Sequence, residues 1–572
     1  MDDKKLALRF FPSLSDFAFL APAIMLFGVM FGTRSLLADS DTGWHIRAGD
    51  WILDHGRFPT SDFFSFTKPG QPWYAWEWLW EVAFAWLHRH GGMAGVIFVC
   101  ALVICLTGML LFRLIRAQSS NDLVAFAVTL VAMFGMAVHF LARPHLFSAL
   151  FAVILLTMVE RKRRAGRDVP WGAIPLLVLW VNVHPGFAAG IIILCAYTAG
   201  ELVAALTSPK PEERKFLLKR FERYALLTVA CSLAPLANPY GYRLFVHMYA
   251  FLSDPYVLSH VTEYMVVDFR IPPGRAFEAM LIAGVPAALA QARKRQFAPL
   301  FLYLGWAHLA LTSQRNIPFF MIAVAGPVAL WVDQLIGAAA RSPLPEWIRK
   351  GAGAFERFGT EFSADDRVPR FHLISIGAMA LVWLLLHAPG APPGFRPKYD
   401  RAVYPEAALT RVRQLGPTAR IFSTDVWGGY LIYQLYPDVR VFWDGRTDFY
   451  GTPYNQAAGD AMWGRPGWEK TLAKSQITAA LLPVNQPLTA ILDVSKDWQE
   501  VYRDKTSVLF QAVPGANHAS SQSSRIACPA YFSAFNSAAE SHGCFSLALA
   551  GLAGPSASAQ AGRLPELAAS MR

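Results

Sequence analysis

Eleven apolar stretches set the tightest limit on how this chain can fold: Ala18–Leu37, Ala94–Leu114, Leu123–Leu141, Leu146–Val159, Trp171–Val183, Phe187–Leu206, Tyr224–Leu236, Phe277–Ala290, Ala298–Thr312, Ile317–Leu335 and Phe371–His387. In lipid every backbone N–H and C=O must be bonded internally, so runs of this kind fold as helices. Several fall short of the roughly 20 residues that a perpendicular span needs. Their Pro and Gly breaks point to tilted or interrupted helices around a cavity. The sequence therefore predicts a mainly α, polytopic transmembrane bundle of about eleven spans over 1–388, with a first outer loop at 38–92. The Pro/Gly linker Pro389–Pro397 leads to a small exported α/β domain over 389–512. Residues 513–572, rich in Ala, Ser and Gly, are expected to be disordered.

Lys and Arg gather around Lys4/Lys5/Arg9, Arg113/Arg116, Arg161–Arg167, Lys210–Arg223, Arg293–Arg295 and Arg341–Arg370. With eleven spans all six clusters fall on one side, which the positive-inside rule makes the cytoplasm. The N-terminus is then cytoplasmic, and the 38–92 loop, the His184 and Asn238 segments and everything after Ala388 lie outside. The net charge of +11 is accounted for by anchoring beside anionic lipid, with no need for a nucleic-acid partner. Ala18–Leu37 is too long for the apolar core of a cleaved signal. Cys528 and Cys544 fall in the exported tail, where an oxidising compartment would let them pair.

The 38–92 loop carries chemistry that a connector does not need. Ser40 or Asp41 can cap a first helix that Gly56 stops, and on it Asp41, His45 and Gly49 share one face. A second helix is expected with Pro72 in its first turn and its end at Gly91-Gly92. Trp73, Trp76 and Trp80 would form an aromatic stripe at headgroup level, with Glu77 and Glu81 stacked on another side. Asp39 and Asp41 can hold a divalent cation (Mg or Mn) through hard oxygens, or act as base and supporting acid. Capping a helix N-terminus is the alternative use of such acids.

Other polar residues recur at the outward ends of later spans: Arg143 and His145, Asn182 and His184, Asn238, and Arg315 and Asn316. Arg143, His145, His184 and Arg315 together offer a phosphate site, since Arg forks match phosphate oxygens; Arg side chains snorkelling at helix ends are the simpler reading. With His45, Glu77 and Asn316 they form the expected substrate-binding set, and Asp41 and Asp39 the catalytic pair. In the exported domain, helices are expected at Tyr404–Leu415, Gly429–Leu435 and Trp468–Lys474. Strands are expected at Ala419–Ser423, Arg440–Trp443, Ile477–Leu482 and Ser507–Ala512. The Asp444-Gly445-Arg446 run fits both a ligand-binding loop and a turn whose Asp and Arg pair. No Gly-rich phosphate loop, Ser-His-Asp signature, CxxC pair or HExxH occurs, which leaves NTPase, protease and zinc-enzyme readings without support.

One span followed by a long outer loop with early acids resembles the GT-C superfamily of polytopic glycosyltransferases. The stretches Asp39-x-Asp41-Thr-Gly-Trp-His45, Trp180-x-Asn182-x-His184, Asn238-Pro-Tyr-Gly241 and Arg315-Asn316-x-Pro318 resemble, more closely, bacterial relatives of the protein O-mannosyltransferase and lipid A aminoarabinose transferase group. The likeness runs from about Ala18 to Leu335. It implies a bacterial inner-membrane enzyme, a polyprenyl-phosphate-linked sugar donor held in membrane lipid, an acceptor entering from outside, and transfer by direct displacement. Asp41 would take the role of base or metal ligand, supported by Asp39, with His184 and Arg315 as candidate phosphate contacts. A non-catalytic membrane scaffold is one alternative, and a transporter or flippase of a lipid-linked or small polar substrate is the other. It would place charges near mid-bilayer and related halves in the sequence, and neither is present.

Overall fold

A computed structural model describes residues 3–166 and 169–513; Cys528, Cys544 and the tail from 514 lie outside the described residues. The chain is mainly helical, with one small sheet near its C-terminal end. Every one of the eleven apolar stretches falls on a helix, although the bounds differ. Among the described residues, four helical segments are long and apolar enough to cross a membrane by length and composition: Trp78–Arg116, Asp122–His139, Pro185–Thr207 and Gln314–Arg341. Shorter apolar helices include Ala173–Val183, Ala298–Thr312 and Leu373–His387. Large apolar side chains stand exposed along these helices, among them Phe134, Leu179, Leu206, Leu304, Ile376 and Leu384. An apolar belt of that extent is at odds with water and suits lipid.

Local chemistry explains where the helices start and stop. Ser13 and Asp16 form a capping box at Leu14–Ile24, and the Asn121 side chain accepts from the N–H groups of Leu123 and Val124. The first span ends earlier than expected. After Pro22 the helix widens into a π turn over Met25–Val29. Phe31 and Gly32 then take positive φ, and a Cβ on Gly32 would lie 2.1 Å from the Gly394 carbonyl oxygen. Only glycine allows this crossing, and it ends the span before Leu37.

In the 38–92 loop the first helix forms as expected, Asp41–His55, with Gly56 in the left-handed region at its end. The second differs. Pro72 does not open it; Pro72 bridges Ser61, and Asp62 N–H and Trp73 N–H donate to Gln71 and Thr60 carbonyls, so residues 60–73 fold as a compact loop. The helix begins only at Trp78 and runs to Arg116, broken at Gly92 (φ 59°). The expected interfacial tryptophan stripe is absent because Trp73 and Trp80 point inward, 6% and 2% exposed.

The sheet is mixed, in the order β1 (Ile421–Phe422), β2 (Ala479–Pro483), β4 (Ser507–Ala512), β3 (Trp498–Arg503). β1 and β2 are parallel, and the other pairs are antiparallel. Two helices appear close to where the sequence puts them, Asp425–Leu435 and Trp468–Lys474, and a third is shortened to Leu409–Gln414. Arg440–Trp443 is not a strand. Val441 makes single bridges to Ile421 and to Ser65, which carry the edge of the sheet onto the first loop. Trp498–Arg503 escapes the period-2 reading because its burial does not alternate.

Loop and sheet region are clamped by a buried ion triad. Arg446 (4% exposed) binds Asp444 through Nη2 at 2.7 Å and Asp62 through Nη1 at 2.8 Å. Trp73 and Phe64 lie 4.9 and 5.1 Å from its guanidinium carbon. The Asp444–Arg446 pair expected of the turn reading forms. Removing one member of a buried ion set strands the others. Arg446→Met should therefore destabilise the protein by about 3–5 kcal/mol, read as a lowered Tm in detergent. Asp62→Asn and Asp444→Asn added to it should restore much of the loss.

Candidate functional site

The site forms where four stretches meet at one end of the bundle. Asp39 comes first: its Oδ1 accepts the Asp41 N–H at 2.9 Å, opening the Asp41–His55 helix. Asp39 thus does the capping work, and Asp41 keeps its carboxylate free for other partners. The chain around Arg143 is laced to this start. Ala142 N–H donates to the Leu36 carbonyl at 2.8 Å, and Thr42 Oγ1 donates to the Ala142 carbonyl at 2.9 Å. Arg143 reaches Asp39 with Nη1 at 2.7 Å and Asp41 with Nη2 at 3.1 Å. Its Nη1 also pairs with Glu263, from the Thr262–Tyr264 turn. Arg315 approaches Glu263 from the far side at 3.4 Å and donates to the Tyr264 hydroxyl at 2.6 Å.

A second run of polar groups continues inward. His184 Nε2 lies 3.2 Å from Arg315 Nη2 and 3.5 Å from Glu77 Oε1. The Gly186 N–H donates to His184 Nδ1 at 2.9 Å, which puts the ring hydrogen on Nε2, facing Glu77. Gly186 is required here, since a Cβ would come within 2.5 Å of that Nδ1 and of Ser148 Oγ. Glu77 Oε2 is 3.3 Å from His45 Nε2, and Glu81 Oε1 is 3.1 Å from His45 Nδ1. The two glutamates expected to face something polar thus face histidines of the same chain. The space left by Gly49 beside His45 is filled by the Glu81 backbone, whose carbonyl oxygen would lie 1.9 Å from a Cβ.

Burial and charge divide the acids. Burial and the Asp39 carboxylate push Asp41 up to about 7 against the pull of Arg143. Burial raises Glu77 to about 8, with Arg143 and Arg315 opposing. Glu263 goes the other way: burial works to raise it, but Arg143, His139 and Arg315 hold it at about 2. Burial, reinforced by Arg143 and Arg446, drives His45 well down, so it is neutral. The result is an ionised Glu263, and an Asp41 that changes charge near neutral pH.

Asp39, Asp41, His45, Glu77, Arg143, His184 and Arg315 are therefore brought together. His145 stands behind them, its Nε2 2.7 Å from the His139 carbonyl and its ring 6.4 Å from that of His184. Asn316 is elsewhere, its Nδ2 donating to the Leu309 carbonyl. Arg143 and Arg315 are not snorkelling ends, because both are tied into carboxylates. Glu263 and Tyr264 were not among the expected site residues. The signal for Glu263 was its place, an acid in the polar segment between Asn238 and Arg315. Gly445 is a further member, since a Cβ there would lie 2.2 Å from Asp41 Oδ1. Its backbone roofs the acid, and the Tyr404 hydroxyl donates to the Ala38 carbonyl at 2.9 Å beside it.

The residues do not fit a divalent cation on Asp39 and Asp41, because the Arg143 guanidinium occupies the space their oxygens share. Among the described residues no group of three or more His, Cys, Asp and Glu side chains is arranged to hold a metal ion.

No protein-family model and no curated protein matches this chain. Solved structures of the oligosaccharyltransferase of the archaeon Archaeoglobus fulgidus do align with it. The form tethered to an acceptor peptide aligns at a TM-score of 0.47 and 12% identity, over 82% of this chain and 68% of that one. The form with an inhibitory peptide and a dolichol-phosphate gives 0.48 and 12%, over 82% and 69%. A form with Zn and sulfate gives 0.42 and 14%, over 82% and 68%.

Proposed function

We propose that this protein is a membrane glycosyltransferase that moves a sugar from a polyprenyl-phosphate-linked donor to a lipid, glycan or protein acceptor. The reaction would take place on the outer face of a bacterial inner membrane, with Asp41 as the base. The observation that carries this reading is the Asp41 carboxylate itself, buried and roofed by Gly445 but turned to Arg143 rather than to its own helix. In the reaction Asp41 takes the proton of the acceptor hydroxyl while that oxygen bonds to the anomeric carbon. The sugar–phosphate bond breaks, and its electron pair leaves on the phosphate. Arg315 is the more exposed of the two arginines, and its fork suits the departing phosphate. Glu263 fixes the gap between the two guanidinium groups. The bundle end that holds the site would face outward, as the Lys/Arg distribution predicts.

Asp41→Asn should lower transfer of labelled sugar in membranes by about 10²–10⁴-fold; transfer equal to wild type would end the assignment. The base works deprotonated and Asp41 is raised to about 7, so kcat/KM should climb with pH through an apparent pKa near that value and level off above it. The Asp41→Asn variant should lack this limb. Gly445→Ala touches no reacting atom but displaces Asp41, and a misplacement of about 1 Å costs about 10²-fold in rate. It should lower kcat with little change in Tm.

A further inference from the structure

We infer that Arg143 stands where a divalent cation would otherwise sit among the loop acids, so that this transferase carries its counter-charge in the protein and needs no bound metal. This deepens the reading above and rests on it for its catalytic meaning. Asp39 and Asp41 of the first loop and Glu263 of the Thr262–Tyr264 turn all converge on one guanidinium. A hard cation gathers oxygens from separate stretches of chain in just this manner. Here the Nη atoms of Arg143 do so, at 2.7 and 3.1 Å from the two aspartates. The arginine is charged at every relevant pH, so the acids keep a positive partner with no ion bound.

It is also held in place. Besides the three ion pairs, Arg143 N–H donates to the Leu141 carbonyl at 2.8 Å, and the preceding residue is tied to Leu36 and Thr42. A guanidinium has five N–H donors in a fixed fork, so those not bound to carboxylates can turn to a phosphate oxygen. The job of a catalytic cation, to order the acids and offset the charge of the leaving phosphate, is thus available to a side chain. Arg315 on the far side of Glu263 (3.4 Å) supplies a second positive group.

The test uses the full-length protein in nanodiscs after chelation, with Mn²⁺ binding read by the EPR signal of the free ion. Wild type should bind no Mn²⁺ tighter than about 1 mM, and EDTA should leave sugar transfer unchanged. Arg143→Ala leaves three carboxylates facing one another; it should lose transfer by about 10²–10³-fold and gain Mn²⁺ binding about tenfold or more tighter than wild type. Adding Asp39→Asn should remove that gain. Stoichiometric Mn²⁺ on the wild type that Asp41→Asn abolishes would overturn the inference, as would transfer that EDTA stops and Mn²⁺ restores. So would a folded Arg143→Ala protein with no gain in Mn²⁺. If the alanine variant does not fold, Arg143→Gln replaces it, and if neither folds the wild-type titration decides alone. A wild type that transfers no sugar under any condition counts against the glycosyltransferase reading, while the Mn²⁺ measurements still decide the place of Arg143.

Discussion

Charges taken out of water must find partners or lose their charge, and this end of the bundle is organised around that rule. Arg143 is the centre of the solution. It binds acids from the first loop and from the Thr262–Tyr264 turn, and Glu263 passes the pairing on to Arg315. No single stretch could assemble this set, because the residues lie up to 276 positions apart (39 to 315). The ion pairs fix the loop, the turn and two helix ends relative to one another, and the chemistry proposed for Asp41 depends on that fixed frame.

The frame is closed from above by backbone rather than by side chains. Gly428 and Gly429 let the Asp425–Leu435 helix approach Trp443 and Ser40, where a Cβ would come within 2.0 and 2.7 Å of their oxygens, and Gly445 does the same over Asp41. Three glycines thus bring the sheet region down onto the start of the Asp41–His55 helix. The Asp62–Arg446–Asp444 triad then holds it there. Excluding water in this way lowers the local dielectric. The same exclusion moves Asp41 to about 7 and Glu77 to about 8, where an acid can exchange protons near neutral pH.

Much of the helical architecture was legible because an apolar run of this length has few alternatives. Ala298–Thr312 forms over the expected residues, and Gly56 ends its helix through the left-handed backbone that glycine favours. The misses share a cause. Tryptophans at 73, 76 and 80 suggested a helical stripe, but backbone bonds from Asp62 to Gln71 and from Trp73 to Thr60 make the first part of that run a loop. Asp39, Asp41, Arg143, His184 and Arg315 could be picked out by type and by their recurrence on one side. Asn316 fitted the same pattern, yet its side chain bonds to the Leu309 carbonyl of the preceding helix.

The sequence by itself determined that the chain builds an apolar helical bundle, that polar groups collect at one set of helix ends, and that two acids open the 38–92 loop. These follow from hydropathy and charge, which act locally and can be summed along the chain. Only the tertiary structure decided who pairs with whom. It set Arg143 between the loop acids, matched Glu263 to both arginines, turned Glu77 and Glu81 towards His45, and laid Gly445 over Asp41. Ion pairing and close approach fall off over a few ångströms, and distances on that scale between remote residues exist only once the chain has folded.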